Sequence, residues 1–213
     1  MDKKEVKELL LDNFKQLEKM PVQEVLLYKK WIQLNSDKML DWFEKNKKKI
    51  EEIKSNIWVP NDPHDYQNLN IKVIPVRKDN DLSERWNILR HFTSSAVWNS
   101  SPGRLLKFIV VHEENSEDDP FGFGLGNPKW KYLGVISISS DFIAMGGRDD
   151  IIGWTREQRL NGKLKNTCIG SSIVPTQPLG FSYVGGKLIA LMTISNVIEQ
   201  EWNRNYEETL AGV

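Results

Sequence analysis

The segment YLGVISIS, residues 132–139, is apolar at most positions and carries no charged side chain. Its β-branched and aromatic residues favour an extended strand. A second segment, LLKFIVVH at residues 105–112, is also strongly apolar and precedes it in the chain. Together the two segments predict a hairpin of strands at the centre of the domain.

Patterns on either side of this hairpin extend the order of elements. The further predicted elements are strands at 71–77 and 167–174 and helices at 82–98 and about 187–206. Thr155-x-x-Gln158 has the form of a capping box and predicts a short basic helix that runs to about residue 165. The glycine-rich segment 121–126 is read as a flexible hairpin loop. The sequence therefore predicts an α+β fold, in which a mixed, mostly antiparallel sheet is flanked by helices.

Residues 1–57 are predicted to form a helical N-terminal extension, and residues 58–213 an α/β domain that begins within a run of turn formers. The extension has no glycine and one proline, Pro21, which separates two helical segments. Ser36 is the predicted N-cap of a third helix. A stripe at spacings of four and three follows it: Met39, Phe43, Asn46, Ile50, Ile53 and Ile57. Such a stripe fits a helix packed on its own domain, or one that mediates self-association or binds a partner.

Composition restricts the class of protein. Basic and acidic residues number 29 each, so no global field attracts the chain to nucleic acid or to a membrane. The single Cys168 and three histidines show no metal-ligand spacing, and no metal site is predicted. The charged N-terminus and the lack of a long apolar window predict a cytoplasmic protein. Residues 209–213 read like the start of a strand, so we expect a C-terminally truncated piece of a longer protein.

The densest functional pattern is DFIAMGGRDDIIGWTREQR, residues 141–159, which directly follows an apolar strand. Acidic and basic side chains that are concentrated at the end of a strand suggest a functional site. Asp149 and Asp150 are the candidate catalytic residues, because a carboxylate there would orient an amine or act as a general base. A local ion-pair network with Arg148 is the alternative. Holding a metal is a weaker reading, since adjacent side chains often point apart.

The basic residues of this region form a second candidate. Arg156, Arg159 and Lys163 recur at spacings of three and four, so a single helix would place them on one face. Such a face could contact phosphate groups, or it could be an ordinary solvated surface.

The order of strand, helix, hairpin, helix, strand, glycine-bearing loop, helix and strand resembles the Gcn5-related acyltransferase fold. In that fold the head of the helix after the loop holds the pyrophosphate of an acyl-coenzyme A. The resemblance implies acyl-coenzyme A as cofactor and Gly185, Gly186 and Lys187 as its binding residues. The usual Q/R-x-x-G-x-G/A signature is not present. A turn that merely lets the helix pack closely is the alternative for these glycines.

The strings YLGVISISSDFIAMGGRDDIIGWTREQR and NTCIGSSIVPTQPLGFSYVGGKLIALM resemble the DruA-like family, a domain named in the Druantia anti-phage system and also found in phages. The likeness runs from about Leu105 to the C-terminus. Its core is IGW-x-x-x-x-R, Asn166 and the GGKLIAL helix head. The resemblance implies a role in conflict between phage and host, with DNA or RNA as a partner. The expected binding residues are Arg148, Trp154, Arg156, Arg159 and Asn166.

Three functions fit these observations. The first is an acyltransferase-like enzyme that modifies nucleic acid. The second is a nucleic-acid-binding module without catalysis, and the third is an interaction protein assembled through its N-terminal helices. We expect the first, with the second as the alternative.

Overall fold

The structure is a computed structural model that describes residues 2, 4–5, 7–8, 11–12, 22–78, 82–93, 103–114, 129–141, 146–177, 179–181 and 184–213. The predicted break at Pro21 and the predicted loop at 121–126 lie outside these residues. Two compact units divide the chain, Met1–Ile50 and Glu51–Val213. Their boundary falls inside a helix, before the turn formers at which the sequence suggested a division.

Helix α1, Val22–Ser55, is continuous over 34 residues. The predicted N-cap at Ser36 is therefore wrong, because Ser36 lies inside this helix. No glycine or proline interrupts residues 22–55, and a serine in a helix interior costs less than about 0.7 kcal/mol relative to alanine. Within the first unit the Trp42 and Phe43 rings meet edge to face with centroids 5.2 Å apart. Self-association through this region stays a prediction.

Four strands form the sheet of the second unit. They are β1 Ile71–Val76, β2 Leu105–Glu114, β3 Lys129–Ser140 and β4 Cys168–Pro175. They lie in the order β1-β2-β3-β4, and every neighbouring pair is antiparallel. The α+β class and the four predicted strands are confirmed. The strand predicted near residue 210 is reduced to a single parallel bridge between Thr167 and Gly212.

Apolar side chains cover both faces of the sheet. Phe108 and Val110 of β2 belong to one buried cluster with Ile189 and Trp202, which lie on the helices after β4. Successive strand residues point to opposite faces, so the equally buried Ile109 faces the other side. There helix α2, Leu82–Thr93, packs against all four strands. Burial on both faces explains why the central strands are apolar almost without alternation.

The remaining helices are α3 Gly146–Ile152, α4 Arg156–Leu160, α5 Gly185–Leu191 and α6 Asn196–Tyr206. Short 3-10 helices occupy Pro63–Asn68, Lys163–Asn166, Leu179–Phe181 and Met192–Ile194. The single helix predicted at 187–206 is interrupted, because Ser195 adopts an extended backbone with φ −70° and ψ 144°. Among the helices that the structure describes, none has the length and apolarity needed to cross a membrane.

Candidate functional site

Two carboxylates and two guanidinium groups meet where β3 ends and β4 begins. Arg148 of α3 donates from Nε and Nη2 to Asp149 Oδ1, at 3.1 and 2.8 Å. Arg159 of α4 donates from Nη1 to Asp149 Oδ2. Arg148 Nη1 also donates to Asp141 Oδ2, which accepts a further hydrogen bond from Thr167 Oγ1 at 2.9 Å. These five residues, the ion-pair cluster, fasten α3 and α4 to the ends of two strands.

The ion-pair cluster is withdrawn from water. The side chains of Asp141 and Asp149 are only 2% and 4% exposed, while those of Arg148 and Arg159 are 21% and 18% exposed. Its two negative and two positive charges balance, as burial of ions requires. Asp141 Oδ1 and Arg159 Nε are buried and have no hydrogen-bond partner among the described residues. Most polar atoms of the ion-pair cluster therefore have a hydrogen-bond partner, but these two do not.

The turn between α3 and α4 explains the residues that follow the aspartates. Gly153 has φ +76°, a left-handed conformation that favours glycine and ends α3. Trp154 N then donates to Asp149 O at 2.8 Å, and the Trp154 ring centroid lies 5.7 Å from the Arg148 guanidinium carbon. Thr155 Oγ1 accepts from Gln158 N at 3.2 Å, and Gln158 Oε1 accepts from Thr155 N at 3.1 Å. The predicted capping box is confirmed.

The head of α5 carries the three residues expected to hold a coenzyme. Gly185 is buried, and a Cβ added to it would lie 2.0 Å from the Leu179 carbonyl oxygen. Close packing thus requires glycine at this position. Gly186 and Lys187 are exposed, and a Cβ added to Gly186 would meet no atom within 4 Å. The structure therefore gives Gly185 a packing role and leaves Gly186 and Lys187 accessible to a ligand.

Comparison with known families places these residues in context. The family model of the Druantia protein DruA matches residues 26–211, which is most of the chain. The chain belongs to the DruA family. No curated protein and no solved structure matches it. The resemblance noted over about half of the sequence thus extends to the strands and helices upstream, including most of α1.

The residues that carried the DruA resemblance have separable tasks. Gly153 and Trp154 shape the turn, and Arg159 joins the ion-pair cluster. Asn166 lies apart from them and fastens the C-terminal segment: its Nδ2 donates to Thr209 O at 2.8 Å, and its carbonyl accepts from Ala211 N at 2.7 Å. The DruA sequence pattern therefore holds α3, α4 and the C-terminal segment around the start of β4.

The structure brings Arg148, Asp149, Trp154 and Arg159 together, but the side chains of Asp150 and Arg156 form no hydrogen bond or ion pair with them. Both of these side chains are exposed. The predicted basic face of Arg156, Arg159 and Lys163 is wrong, because α4 ends at Leu160. Gly162 has φ +100° and starts a separate 3-10 helix, which contains Lys163. The catalytic and nucleic-acid-binding roles of these residues stay predictions.

Two members of the ion-pair cluster, Asp141 and Thr167, were not singled out from the sequence. A polar residue directly after an apolar strand was the available signal for Asp141. Cys168 lies beside this carboxylate at the start of β4, and burial raises the pKa of its thiol to about 12, with the Asp141 charge adding to the shift. A thiol with so high a pKa stays protonated at neutral pH, so Cys168 is a poor nucleophile. Within the described residues, no group of His, Cys, Asp and Glu could hold a metal ion.

Proposed function

We propose that this DruA-family chain is a component of a Druantia-type anti-phage system and acts as an acyltransferase-like enzyme that uses acyl-coenzyme A and modifies nucleic acid. Family membership supports the anti-phage setting. The observation that carries the enzymatic part is the topology. An antiparallel β1-β2-β3-β4 sheet is followed by α5 and α6 and then by the parallel bridge between Thr167 and Gly212. This order of elements resembles that of the Gcn5-related acyltransferase fold, and the resemblance supports the proposal.

The geometry of β4 supports the same proposal. Ser137 pairs with Ser172 and Ile138 with Gly170, so Ser171 is an extra residue that bulges from the ladder. Bulges redirect the backbone and are frequent next to active sites. On the outer side of this strand, the pairing among the described residues is the Thr167–Gly212 bridge, directly before β4 begins. The later part of β4 thus offers main-chain groups to an extended arm of a coenzyme.

The head of α5 supplies the candidate anion seat. Exposed Gly186 and Lys187 lie in its first turn, where the positive end of the helix dipole favours a negatively charged ligand. A pyrophosphate bound there would be contacted by the Lys187 ammonium group. We propose Gly186 and Lys187 as coenzyme-binding residues, with Gly185 shaping the turn beneath them.

Thermal unfolding in the presence of coenzyme A and acetyl-coenzyme A tests this proposal. A ligand at 100 times its Kd stabilises the folded protein by about 2.7 kcal/mol, which raises Tm by several degrees. Lys187→Glu should abolish the rise, whereas Lys163→Glu, a charge reversal at another exposed lysine, should keep it. No rise with any acyl-coenzyme A at millimolar concentration would refute coenzyme binding.

A non-catalytic nucleic-acid-binding module is the second candidate, and the exposure of Arg156 favours it. Arg148 and Arg159 are held by Asp149, so Arg156 is the arginine of this region that reaches solvent most freely. Fluorescence anisotropy with labelled DNA at two salt concentrations tests the idea. Arg156→Ala should weaken binding and lower the salt slope by about 1, while Glu157→Gln, its neighbour on α4, should not weaken it. Binding that Arg156→Ala leaves unchanged removes this surface.

A further inference from the structure

A groove with a volume of 380 Å³ lies between the segment after α1 and the paired ends of β2 and β3. Main-chain hydrogen bonds hold the segment against the sheet: Trp58 N donates to Tyr132 O at 3.1 Å, and Tyr132 N donates to Asn56 O at 2.7 Å. The rings of Trp58 and Tyr66 meet edge to face with centroids 5.2 Å apart. The volume falls within the range of about 300–1,000 Å³ that small-molecule sites occupy. Its walls are fixed by bonds within the protein, which lowers the entropy cost of binding.

One wall of the groove presents hydrogen-bond acceptors. Asp65 Oδ2 accepts from Asn61 N at 2.7 Å and from Asp62 N at 3.0 Å, and these bonds set the position of the carboxylate. The backbone hydrogen bonds from Asp62 and then Asn61 lower the pKa of Asp65, so it is ionised at neutral pH. Asp65 Oδ1 accepts no hydrogen bond from the residues that the structure describes. Asn61 and Asn68 also line the groove.

The strand ends contribute a second part of the lining. His112 and Glu114 are two residues apart on β2, so they lie on the same face. His112 Nδ1 accepts from Asn70 N at 3.0 Å, which leaves Nε2 to donate a hydrogen bond. Lys131 pairs with His112 across the sheet, and its ammonium group donates to Ser55 O at 3.3 Å. The Glu114 side chain forms no hydrogen bond or ion pair with any described residue.

Charge selects the ligand. The two carboxylates exceed the one ammonium group among the lining residues, so carboxylate charge predominates in the groove. We propose that the groove binds a small polar molecule that carries a protonated primary amine. Its ammonium group is held by the carboxylates of Asp65 and Glu114, while Asn68 and His112 bond to the polar remainder. Charge-assisted hydrogen bonds of this kind are about twice as strong as neutral ones.

The groove is built from residues other than Gly186 and Lys187 of α5. Binding of an amine therefore stands or falls separately from coenzyme binding, and it can be measured without a coenzyme. A neutral nucleoside with an exocyclic amino group, such as adenosine, could satisfy the same acceptors but would not need their charge. Putrescine and adenosine thus distinguish a charged amine from an amino-bearing base.

Calorimetric titration of the full chain with putrescine, at near-physiological salt, tests the proposal. We expect saturable binding, and no binding of 1,4-butanediol, which has the same length without the amines. Glu114→Gln should weaken putrescine binding by about tenfold or more. Glu113→Gln is the matched control, because Glu113 is adjacent, lies 3.8 Å from Lys72 and does not line the groove. It should bind within about twofold of the parent, since surface pairs contribute little.

Three outcomes of the titrations would overturn the inference. They are no heat with putrescine at millimolar concentration, equal weakening by Glu113→Gln and Glu114→Gln, and adenosine binding that is tighter than putrescine binding and insensitive to Glu114→Gln. Amide chemical-shift changes confined to residues around His112 and Asn68 would place the ligand in the groove. Changes elsewhere alone would contradict it.

Discussion

Asp149→Asn should destabilise the second unit strongly, although it alters only one atom. Asp149 accepts two hydrogen bonds from Arg148 and one from Arg159. An asparagine keeps one oxygen, but its NH₂ group would face guanidinium donors and would cancel no charge. Two largely buried arginines would then have lost one of the two carboxylates of the ion-pair cluster. Breaking a buried pair in this way costs about 3–5 kcal/mol.

Urea unfolding followed by circular dichroism measures this cost. With a slope of about 1–3 kcal/mol per molar urea, the unfolding midpoint of Asp149→Asn should fall by at least about 1 M. Asp150→Asn makes the same chemical change one residue away, at an exposed side chain. It should alter the free energy of unfolding by no more than about 0.5 kcal/mol.

A double-mutant cycle separates the ion pairs from other effects of Asp149. Arg159→Met combined with Asp149→Asn should cost less than the sum of the two single changes, because each single change leaves a buried charge without its partner. If Asp149→Asn and Asp150→Asn unfold at the same urea concentration, the reasoning is refuted. The ion-pair cluster would then contribute no more than a surface network does.

Further predictions concern single positions. Gly185→Ala should lower the free energy of unfolding by about 1–3 kcal/mol, because the added Cβ would overlap the Leu179 carbonyl oxygen. Gly186→Ala should be neutral or should stabilise the protein by up to about 1 kcal/mol. Equal thermal unfolding of the two variants would contradict this prediction. Thr155→Ala should cost about 1 kcal/mol in urea unfolding through loss of the cap, and an unchanged midpoint would oppose it. Burial raises the pKa of Cys168 from 9.0 to about 12, so the unfolded state gains from deprotonation as pH rises through this window. The parent should lose stability relative to Cys168→Ala there, and a constant difference would contradict the pKa shift.

The sheet could be predicted because its signal is local. YLGVISIS and LLKFIVVH are each apolar enough to demand burial, and strand length and composition settle their type without knowledge of any partner. The capping box of Thr155 and Gln158 is local in the same sense, since both of its hydrogen bonds span three residues. Where a hydrogen-bond pattern closes within one turn, sequence alone identifies it.

Helix α3 was missed for the opposite reason. Its sequence, GGRDDII, begins with two glycines and has no apolar stripe, so intrinsic preference does not favour a helix. Arg148 contacts Asp141, and Asp149 contacts Arg159, which lies ten residues further on. Thr167, which follows Asp141 by 26 residues, donates a hydrogen bond to the Asp141 carboxylate. The pairing of these side chains depends on where the strands end in the folded sheet, so local sequence patterns do not identify it.

The difference between buried and exposed arginines also decides which substitution best tests nucleic-acid binding. The sequence offered Arg148, Arg156 and Arg159 as equal candidates for contact with phosphate. The structure makes them unequal, because Arg148 and Arg159 are bound to Asp149, whereas Arg156 is exposed. A loss of DNA binding in Arg159→Ala could therefore reflect unfolding of the ion-pair cluster, which urea unfolding would reveal. A loss in Arg156→Ala with unchanged unfolding would report on the nucleic-acid surface itself.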